Sequence, residues 1–219
     1  MPLKLYYAPG ACSFVPHAML EASGVPFETV AVKLHKNEQK SPQYLALNPH
    51  GQVPTLVDGA EVITQIGAIA LYLDERFPQC GFLPREPAAR AHAFETLMWM
   101  NNTAHPTFTH FFRPGNFAGG EPAHADIKAF NAKLFDARLR EIEAMVAALP
   151  GKGRAFLSGE NFGPVDAYAV TLLRWGGYVG LDPENYPAYW SHVQRVVQLP
   201  PVARAFEREG VKLNVYQSA

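Results

Sequence analysis

Short apolar runs alternate with helical patterns at the start of the chain. Leu3 to Tyr7 is an apolar run that ends at Pro9-Gly10, which is typical of a buried strand followed by a turn. From Ser13 to Ala22 the apolar residues recur at helical spacing, with Ser13 as the capping residue and Gly24 as the stop. Phe27 to Leu34 alternates and predicts a second strand.

The alternation continues to Phe77. Ser41 to Leu47 predicts a short helix that begins with a serine cap and a proline in its first turn. Two short strands, Thr55–Val57 and Val62–Ile63, are joined by Asp58-Gly59, a strong hairpin signal. Ile66 to Phe77 is densely apolar at helical period. The order β-α-β-α-β-β-α predicts a mixed sheet with helices packed on its faces.

A loop-like segment then divides the chain. Residues 80–87 contain glycine and prolines without periodicity, so we predict an α/β domain over 1–79, a linker over 80–87 and an all-helical domain over 88–219. Strand signals are nearly absent after the linker. The predicted helices run over about 88–112, 124–149, 164–176, 187–198 and 201–209.

Composition narrows the class of protein. The 219 residues are 48% hydrophobic and 18% charged, with a formal net charge of −1, so no overall field favours nucleic acid or an anionic membrane. No apolar run is long enough to cross a bilayer, and the N-terminal residues lack a signal-peptide pattern. The two cysteines, Cys12 and Cys80, are too few and too distant for a disulfide framework. We therefore expect a cytoplasmic protein with neither nucleic-acid nor membrane partners.

Cys12 follows the Pro9-Gly10 turn and precedes the first predicted helix. A sulfur at this place faces unpaired N–H groups and the positive end of the helix dipole, which favour a thiolate. The alternative is a buried and inert cysteine.

Two further features of the first domain suggest a ligand. Gln52-Val53-Pro54 precedes a strand, and a cis Val53–Pro54 bond would leave the Val53 N–H and C=O free to pair with an extended peptide; an ordinary trans turn is the alternative. Gln65 stands at the start of an apolar helix, where an amide side chain and free N–H groups would hold a carboxylate; a cap without a ligand is the alternative. Together these features predict a site for a small extended peptide with a free carboxylate and its own thiol.

The helical half concentrates aromatic residues in HPTFTHFFRP. Phe108 and Phe112, with Trp175, would form the wall of an apolar pocket that faces Cys12, or would simply pack in the core. His105 would contact a ligand or be a satisfied structural histidine. Its spacing from His110, with a proline between them, is poor for two metal ligands on one helical face, so we predict no metal site.

The ordered set of motifs resembles a known family. The motifs are YYAPGACS, NPHGQVPTL, TQIGAIALYLDERF, HPTFTHFFRP and GPVDAYAVTLLRW, and together they are similar to the bacterial beta-class cytosolic glutathione transferases over nearly the whole chain. The resemblance implies a thioredoxin-like domain with a four-stranded mixed sheet, an all-helical second domain and a homodimer. It also implies glutathione as co-substrate, conjugated to small hydrophobic electrophiles.

The resemblance implies roles for individual residues near the ligand sulfur. Cys12 matches the beta-class cysteine close to the glutathione thiol, and Tyr7 matches a tyrosine with a supporting role. His105 matches a histidine of the second domain that reaches towards the sulfur. Ser13, at the start of the helix, would donate its hydroxyl to a nearby sulfur. These four residues are the predicted catalytic set.

Other residues match the part of the family site that holds the peptide. The Val53 backbone would pair with the cysteinyl moiety next to the cis-proline Pro54, and Gln65 would hold the γ-glutamyl end together with Ile66. Lys36 lies near the position at which the family has a lysine that meets the glycine carboxylate of glutathione. The predicted glutathione-binding set is completed by Gln52.

This sequence departs from the family pattern at several positions. Ile66 stands where Ser, Thr or Gly is usual, so a hydroxyl contact to the carboxylate is missing. The match of Lys36 is loose by one position, with Asn37 as the other candidate. Met98 occupies the position of a frequent asparagine. Gly163 replaces the usual Ser or Thr cap of the buried helix, while Asp166 is retained.

Three functions remain open from the sequence. The first is a glutathione transferase. The second is a glutathione-dependent thiol-disulfide oxidoreductase or peroxidase that acts through a Cys12 mixed disulfide. The third is a non-catalytic scaffold of the same fold with weak glutathione binding, which Ile66 and Met98 favour.

Overall fold

The first half of the molecule is built around a four-stranded sheet. The computed structural model describes residues 2–218, and its sheet has the order β2-β1-β3-β4, with β1 parallel to β2 and antiparallel to β3. The predicted mixed sheet is therefore confirmed. Its strands are β1 Leu3–Tyr7, β2 Phe27–Ala31, β3 Thr55–Asp58 and β4 Glu61–Thr64, and its helices are α1 Phe14–Ser23, α2 Pro42–Leu47 and α3 Ile66–Arg76.

The second half is helical, as the sequence predicts. A helix begins at Pro87, but the domain boundary at 80–87 itself stays a prediction. None of the helices within residues 2–218 combines the length and the apolar composition needed to span a bilayer. The helices are α4 Pro87–Trp99, α5 His105–Phe112, α6 Glu121–Ala147, α7 Pro164–Tyr178, α8 Pro187–Val197 and α9 Pro200–Glu209.

Two predicted elements are shorter than their patterns indicated. The second strand stops at Ala31, because β1 provides its last partner at Tyr7, and the chain then forms a short 3-10 turn over Leu34–Lys36. The predicted helix over 88–112 is interrupted by a π-helical turn, Met100–Ala104. Pro106 follows this turn and has no N–H to donate to the preceding turn, which explains why regular α-helical bonding is lost there.

Helix α7 is the centre of the core. It packs against α1 of the first domain and against α4, α6 and α8 of the second. Val165, Ala167, Tyr168 and Ala169 are completely buried. Residues that reach the functional region from α7 are consequently held by contacts with both halves of the molecule.

The start of α7 explains the glycine at its cap. The carboxylate of Asp166 accepts hydrogen bonds from the N–H groups of Leu157, Ser158 and Gly163, at 2.8, 3.1 and 3.2 Å. The Ser158 hydroxyl accepts from the Val165 N–H at 3.1 Å. A Cβ atom at Gly163 would lie 2.2 Å from the Phe82 carbonyl oxygen. The hydroxyl cap is thus supplied by Ser158, because position 163 has no room for a side chain.

Met98 also has a structural explanation. A Cβ atom at Gly67 would lie 2.8 Å from the Met98 Sδ atom. Met98 therefore packs α4 closely against the first turn of α3, and the thioether fills the space that the glycine leaves.

We predict that Gly163→Ala lowers the free energy of unfolding by at least about 2 kcal/mol, because the added methyl group overlaps the Phe82 carbonyl oxygen. Urea denaturation followed by circular dichroism measures the change. Gly151→Ala is the matched control: a Cβ there meets nothing within 4 Å, so we expect no significant change. Equal stability of the two variants would contradict the crowded cap.

Candidate active site

The turn between β1 and α1 is closed by Ser13. Its hydroxyl donates to the Ala8 carbonyl at 3.2 Å and accepts from the Ala8 N–H at 3.1 Å. Ser13 is fully buried, and its side chain makes no capping bond to α1. The prediction that Ser13 caps the helix is therefore wrong, because the turn itself uses the hydroxyl. Its donation to a ligand sulfur stays a prediction.

Gly10 connects this turn to the helical half. Its N–H donates to Glu209 Oε2 at 2.7 Å, and its carbonyl accepts from Trp175 Nε1 at 2.9 Å and from Arg174 Nη1 at 3.3 Å. Gly10 has φ 69°, and a Cβ atom would lie 2.6 Å from Arg174 Nη1. The backbone angle favours glycine here, and a side chain at this position would displace the Arg174 guanidinium from its bond to the Gly10 carbonyl.

Cys12 is buried beside the predicted peptide-binding strand. Its Sγ atom lies 3.7 Å from the Val53 carbonyl oxygen, to which the thiol donates. Burial raises the pKa of the Cys12 thiol to about 12, although the N–H groups of Cys12 and Ser13 oppose this shift. The predicted donors are present, but the loss of hydration outweighs them, so the prediction of a thiolate is wrong for the ligand-free protein.

A buried polar cluster holds the segment before Pro54. The Gln52 carbonyl accepts from the Tyr44 hydroxyl at 2.7 Å and from Asn48 Nδ2 at 2.8 Å. Both side chains also bond Thr55 Oγ1 at 3.0 Å. The Val53–Pro54 bond is cis. Among residues 2–218 no acceptor pairs with the Val53 N–H, so this group is free for a ligand.

The start of α3 presents unpaired N–H groups. The first bond of the helix runs from the Ile69 N–H to the Gln65 carbonyl at 3.0 Å, so the N–H groups of Ile66, Gly67 and Ala68 precede it. Gln65 is exposed and has φ 70°, an unfavourable angle for a residue with a side chain. The Ile66 side chain is buried in the core, which leaves only its N–H for a ligand.

Three of the predicted residues lie at the edge of this region. The Tyr7 ring packs on His17 at 5.3 Å, and burial, with the nearby Glu209 charge, raises the pKa of its phenol. The Lys36 side chain is exposed and makes no hydrogen bond or ion pair with residues 2–218. Gln52 is also exposed and contributes its carbonyl to the buried cluster.

The three predicted pocket residues form one aromatic column. Trp175 stacks on Phe108 with centroids 4.4 Å apart, and Phe108 stacks on Phe112 at 5.4 Å. Phe112 is 55% exposed, whereas the Trp175 indole is bonded to Gly10. The column therefore runs from the cysteine turn to the surface.

His105 lies at the inner end of the column. Its ring packs edge-on against Trp175 at 4.7 Å, and its Nδ1 atom is 2.6 Å from the Tyr168 hydroxyl. Burial lowers the pKa of His105 to about 4, so the imidazole is neutral at pH 7. Burial, with a smaller contribution from Cys12, raises the pKa of Tyr168 well above its usual value, so the phenol is neutral at pH 7.

Sequence reasoning missed Tyr168, Asn101 and Glu209. Tyr168 is a tyrosine within a strongly apolar helix, and a buried tyrosine hydroxyl usually needs a hydrogen-bond partner, so this signal was available. Asn101 and Glu209 carry no comparable local signal. Within residues 2–218, His, Cys, Asp and Glu side chains do not gather in groups of three or more that would hold a metal ion.

Comparison with known proteins identifies the family. The glutathione S-transferase N-terminal domain model matches residues 1–75, and the C-terminal domain model matches residues 100–200. Glutathione S-transferase GstA of Escherichia coli O157:H7 is 33% identical over 215 residues, covering 96% of this chain and 100% of that protein. The chain belongs to the glutathione S-transferase family.

Solved structures of glutathione transferases share the whole fold. A homologue from Sulfitobacter with bound glutathione aligns with a TM-score of 0.88 at 26% identity, covering 96% of this chain and 99% of that one. A bacterial beta-class glutathione S-transferase from Sphingomonas chungbukensis aligns with a TM-score of 0.81 at 28% identity, covering 95% and 100%. The resemblance that the motifs indicate thus extends to the three-dimensional structure.

We predict that iodoacetamide alkylates Cys12 of the ligand-free protein far more slowly at pH 7 than it alkylates free glutathione. A thiol whose pKa is about 12 is almost entirely protonated at that pH. Because the folded thiol ionises only in strong base, the site-specific rate, measured by mass spectrometry, should still be rising at about pH 10. A rate that levels off below about pH 8 would contradict the pKa assigned to Cys12.

Proposed function

We propose that this protein conjugates the thiol of glutathione to small apolar electrophiles. The observation that carries the proposal is the unpaired N–H of Val53, whose carbonyl oxygen lies 3.7 Å from the Cys12 sulfur. An extended tripeptide that pairs with this backbone would bring its own thiol to the cysteine turn. Its γ-glutamyl carboxylate would then meet the N–H groups at the start of α3.

The ligand thiol must be ionised in a site that disfavours charge. Because burial raises the pKa of Cys12, a glutathione sulfur at the same place needs donors of its own. The N–H groups of Cys12 and Ser13 would supply two of them, and His105 would exchange the proton. Cys12 itself acts here as a neutral neighbour and not as a competing thiolate.

The electrophile would lie against the aromatic column. Phe108 is buried, Phe112 is half exposed, and their rings are nearly parallel, so a flat apolar substrate can stack on the outer end. Holding it within reach of the thiolate supplies the proximity that conjugation requires.

The test is conjugation of glutathione to 1-chloro-2,4-dinitrobenzene. We expect activity in the wild-type protein and a loss of about tenfold or more in kcat/KM for His105→Ala, which removes the proton acceptor. His110→Ala is the control: this histidine lies on the same helix, but it stacks on Phe117 and bonds its own helix. No conjugation by a folded wild-type protein that binds glutathione would contradict the proposal.

A second candidate function rests on the same sulfur. Cys12 is not in a disulfide, so its thiol can attack the glutathionyl sulfur of a glutathione mixed-disulfide substrate and release the substrate as its free thiol. A second glutathione would then attack the Cys12–glutathione disulfide, which regenerates the Cys12 thiol and releases oxidised glutathione. In a Cys12→Ala variant this thiol-disulfide activity would be lost while conjugation is kept. Loss of neither activity would exclude any role for Cys12.

Position 66 offers a test of the carboxylate subsite. We predict that Ile66→Thr lowers the Kd for glutathione about tenfold, because the added hydroxyl supplies a charge-assisted hydrogen bond at the start of α3. Ile66→Val is the matched control, since it keeps the branched shape without the hydroxyl. Isothermal titration calorimetry measures both affinities, and equal values would contradict the carboxylate position.

The same family membership supports the remaining expectations. We propose a homodimer in the cytoplasm, with glutathione as co-substrate, with residues 1–79 as the glutathione-binding domain, and with residues 88–219 as the electrophile-binding domain. Val62 on β4 and Phe130 on α6 are exposed large apolar residues that a second copy would cover. If glutathione does not bind at millimolar concentration, the scaffold function is favoured.

A further inference from the structure

A chain of hydrogen-bonded side chains lies behind His105. Tyr168 of α7 is fully buried, and its hydroxyl oxygen is 2.6 Å from His105 Nδ1 and 3.2 Å from Asn101 Oδ1. Asn101 belongs to the π-helical turn Met100–Ala104, which leads directly into His105. The irregular turn thus brings an amide to the same phenol that the histidine contacts.

The Asn101 amide has two hydrogen-bond partners in the structure. Its Nδ2 atom donates to Asn102 Oδ1 at 2.8 Å. The atom that faces Tyr168 is the carbonyl oxygen, which accepts the phenol hydrogen bond at 3.2 Å and has no proton to donate.

Counting protons decides the tautomer of His105. The phenol has one proton, and Asn101 Oδ1 can only accept, so all bonds are satisfied when the phenol donates to Asn101 and accepts from the Nδ1–H of His105. In the opposite assignment, the Asn101 oxygen would face a lone pair of the phenol. Both groups are neutral at pH 7, since burial raises the pKa of Tyr168 and lowers that of His105.

We propose that Tyr168 and Asn101 are positioning residues that hold His105 as the Nδ1–H tautomer, so that Nε2 is the proton acceptor for the glutathione thiol. The mechanistic part rests on the proposed function. Nε2 makes no hydrogen bond with residues 2–218, and it is not among their buried unpartnered atoms. A thiol proton would pass to Nε2, leaving a thiolate beside an imidazolium that donates from both nitrogens.

A second tyrosine provides the contrast. Tyr189 of α8 is also fully buried, and its hydroxyl donates to the Ala169 carbonyl of α7 at 2.5 Å. This hydrogen bond joins two helices, and His105 takes no part in it. Removing this hydroxyl disturbs the core by a similar chemical change, but it cannot alter the proton position on His105.

Nitrogen NMR of the imidazole in the ligand-free protein tests the proposal. In the wild type we expect protonated Nδ1 and unprotonated Nε2. Asn101→Ala frees the phenol proton to donate to Nδ1, so the proton of the ring should move to Nε2. Tyr168→Phe removes the acceptor for Nδ1–H and should also lose the wild-type tautomer, whereas Tyr189→Phe should retain it. A wild-type ring protonated at Nε2, or an unchanged ring in the Asn101 variant, would overturn the proposal.

Kinetics separate this inference from the proposed function. Tyr168→Phe should lower kcat for conjugation about tenfold, with KM for glutathione nearly unchanged, and Tyr189→Phe should leave both near wild type. An unaltered kcat in the Tyr168 variant would overturn the mechanistic part. The NMR measurement needs no glutathione, so an inactive protein with the expected tautomer contradicts the proposed function alone.

Discussion

The bonds of one glycine join the two halves of the molecule at the candidate site. Gly10 gives its N–H to Glu209 and its carbonyl to Trp175 and Arg174, so α7 and α9 hold both polar groups of the turn before Cys12. The positive φ angle favours glycine, and a side chain at position 10 would displace the Arg174 guanidinium. The cysteine, the histidine and the aromatic column keep their relative positions because they share this anchor.

Burial is the dominant electrostatic factor in the site. It raises the pKa of Cys12 and Tyr168 and lowers that of His105. All three side chains are therefore neutral at pH 7 in the ligand-free site. A thiolate formed there depends on a few fixed donors, and each of them has a larger effect than it would in water. The orientation of His105 therefore matters as much as its presence.

Local signals in the sequence predicted the framework. The strand over Leu3–Tyr7, the Ser41 cap and the β3–β4 hairpin depend on neighbouring residues, and the structure agrees with them. The hairpin turns at Gly59-Ala60, one position later than predicted, because Asp58 pairs with Glu61. The contacts that the sequence did not predict, and the predictions that were wrong, depend on residues that are distant along the chain. Glu209 reaches Gly10 across 199 positions, and Ser158 supplies the cap of α7 from a loop. The thiolate prediction for Cys12 failed because helix-end arguments omit the desolvation that tertiary packing imposes.

The most direct test of the account is the backbone amide NMR spectrum of the wild-type protein during titration with reduced glutathione. If the peptide pairs with the strand and its carboxylate meets α3, the largest shifts will be those of the Val53 amide and the amides of Ile66 and Gly67, followed by Cys12. Saturable shifts confined to these positions would support the account. A spectrum unchanged at millimolar glutathione, or shifts centred elsewhere, would contradict it.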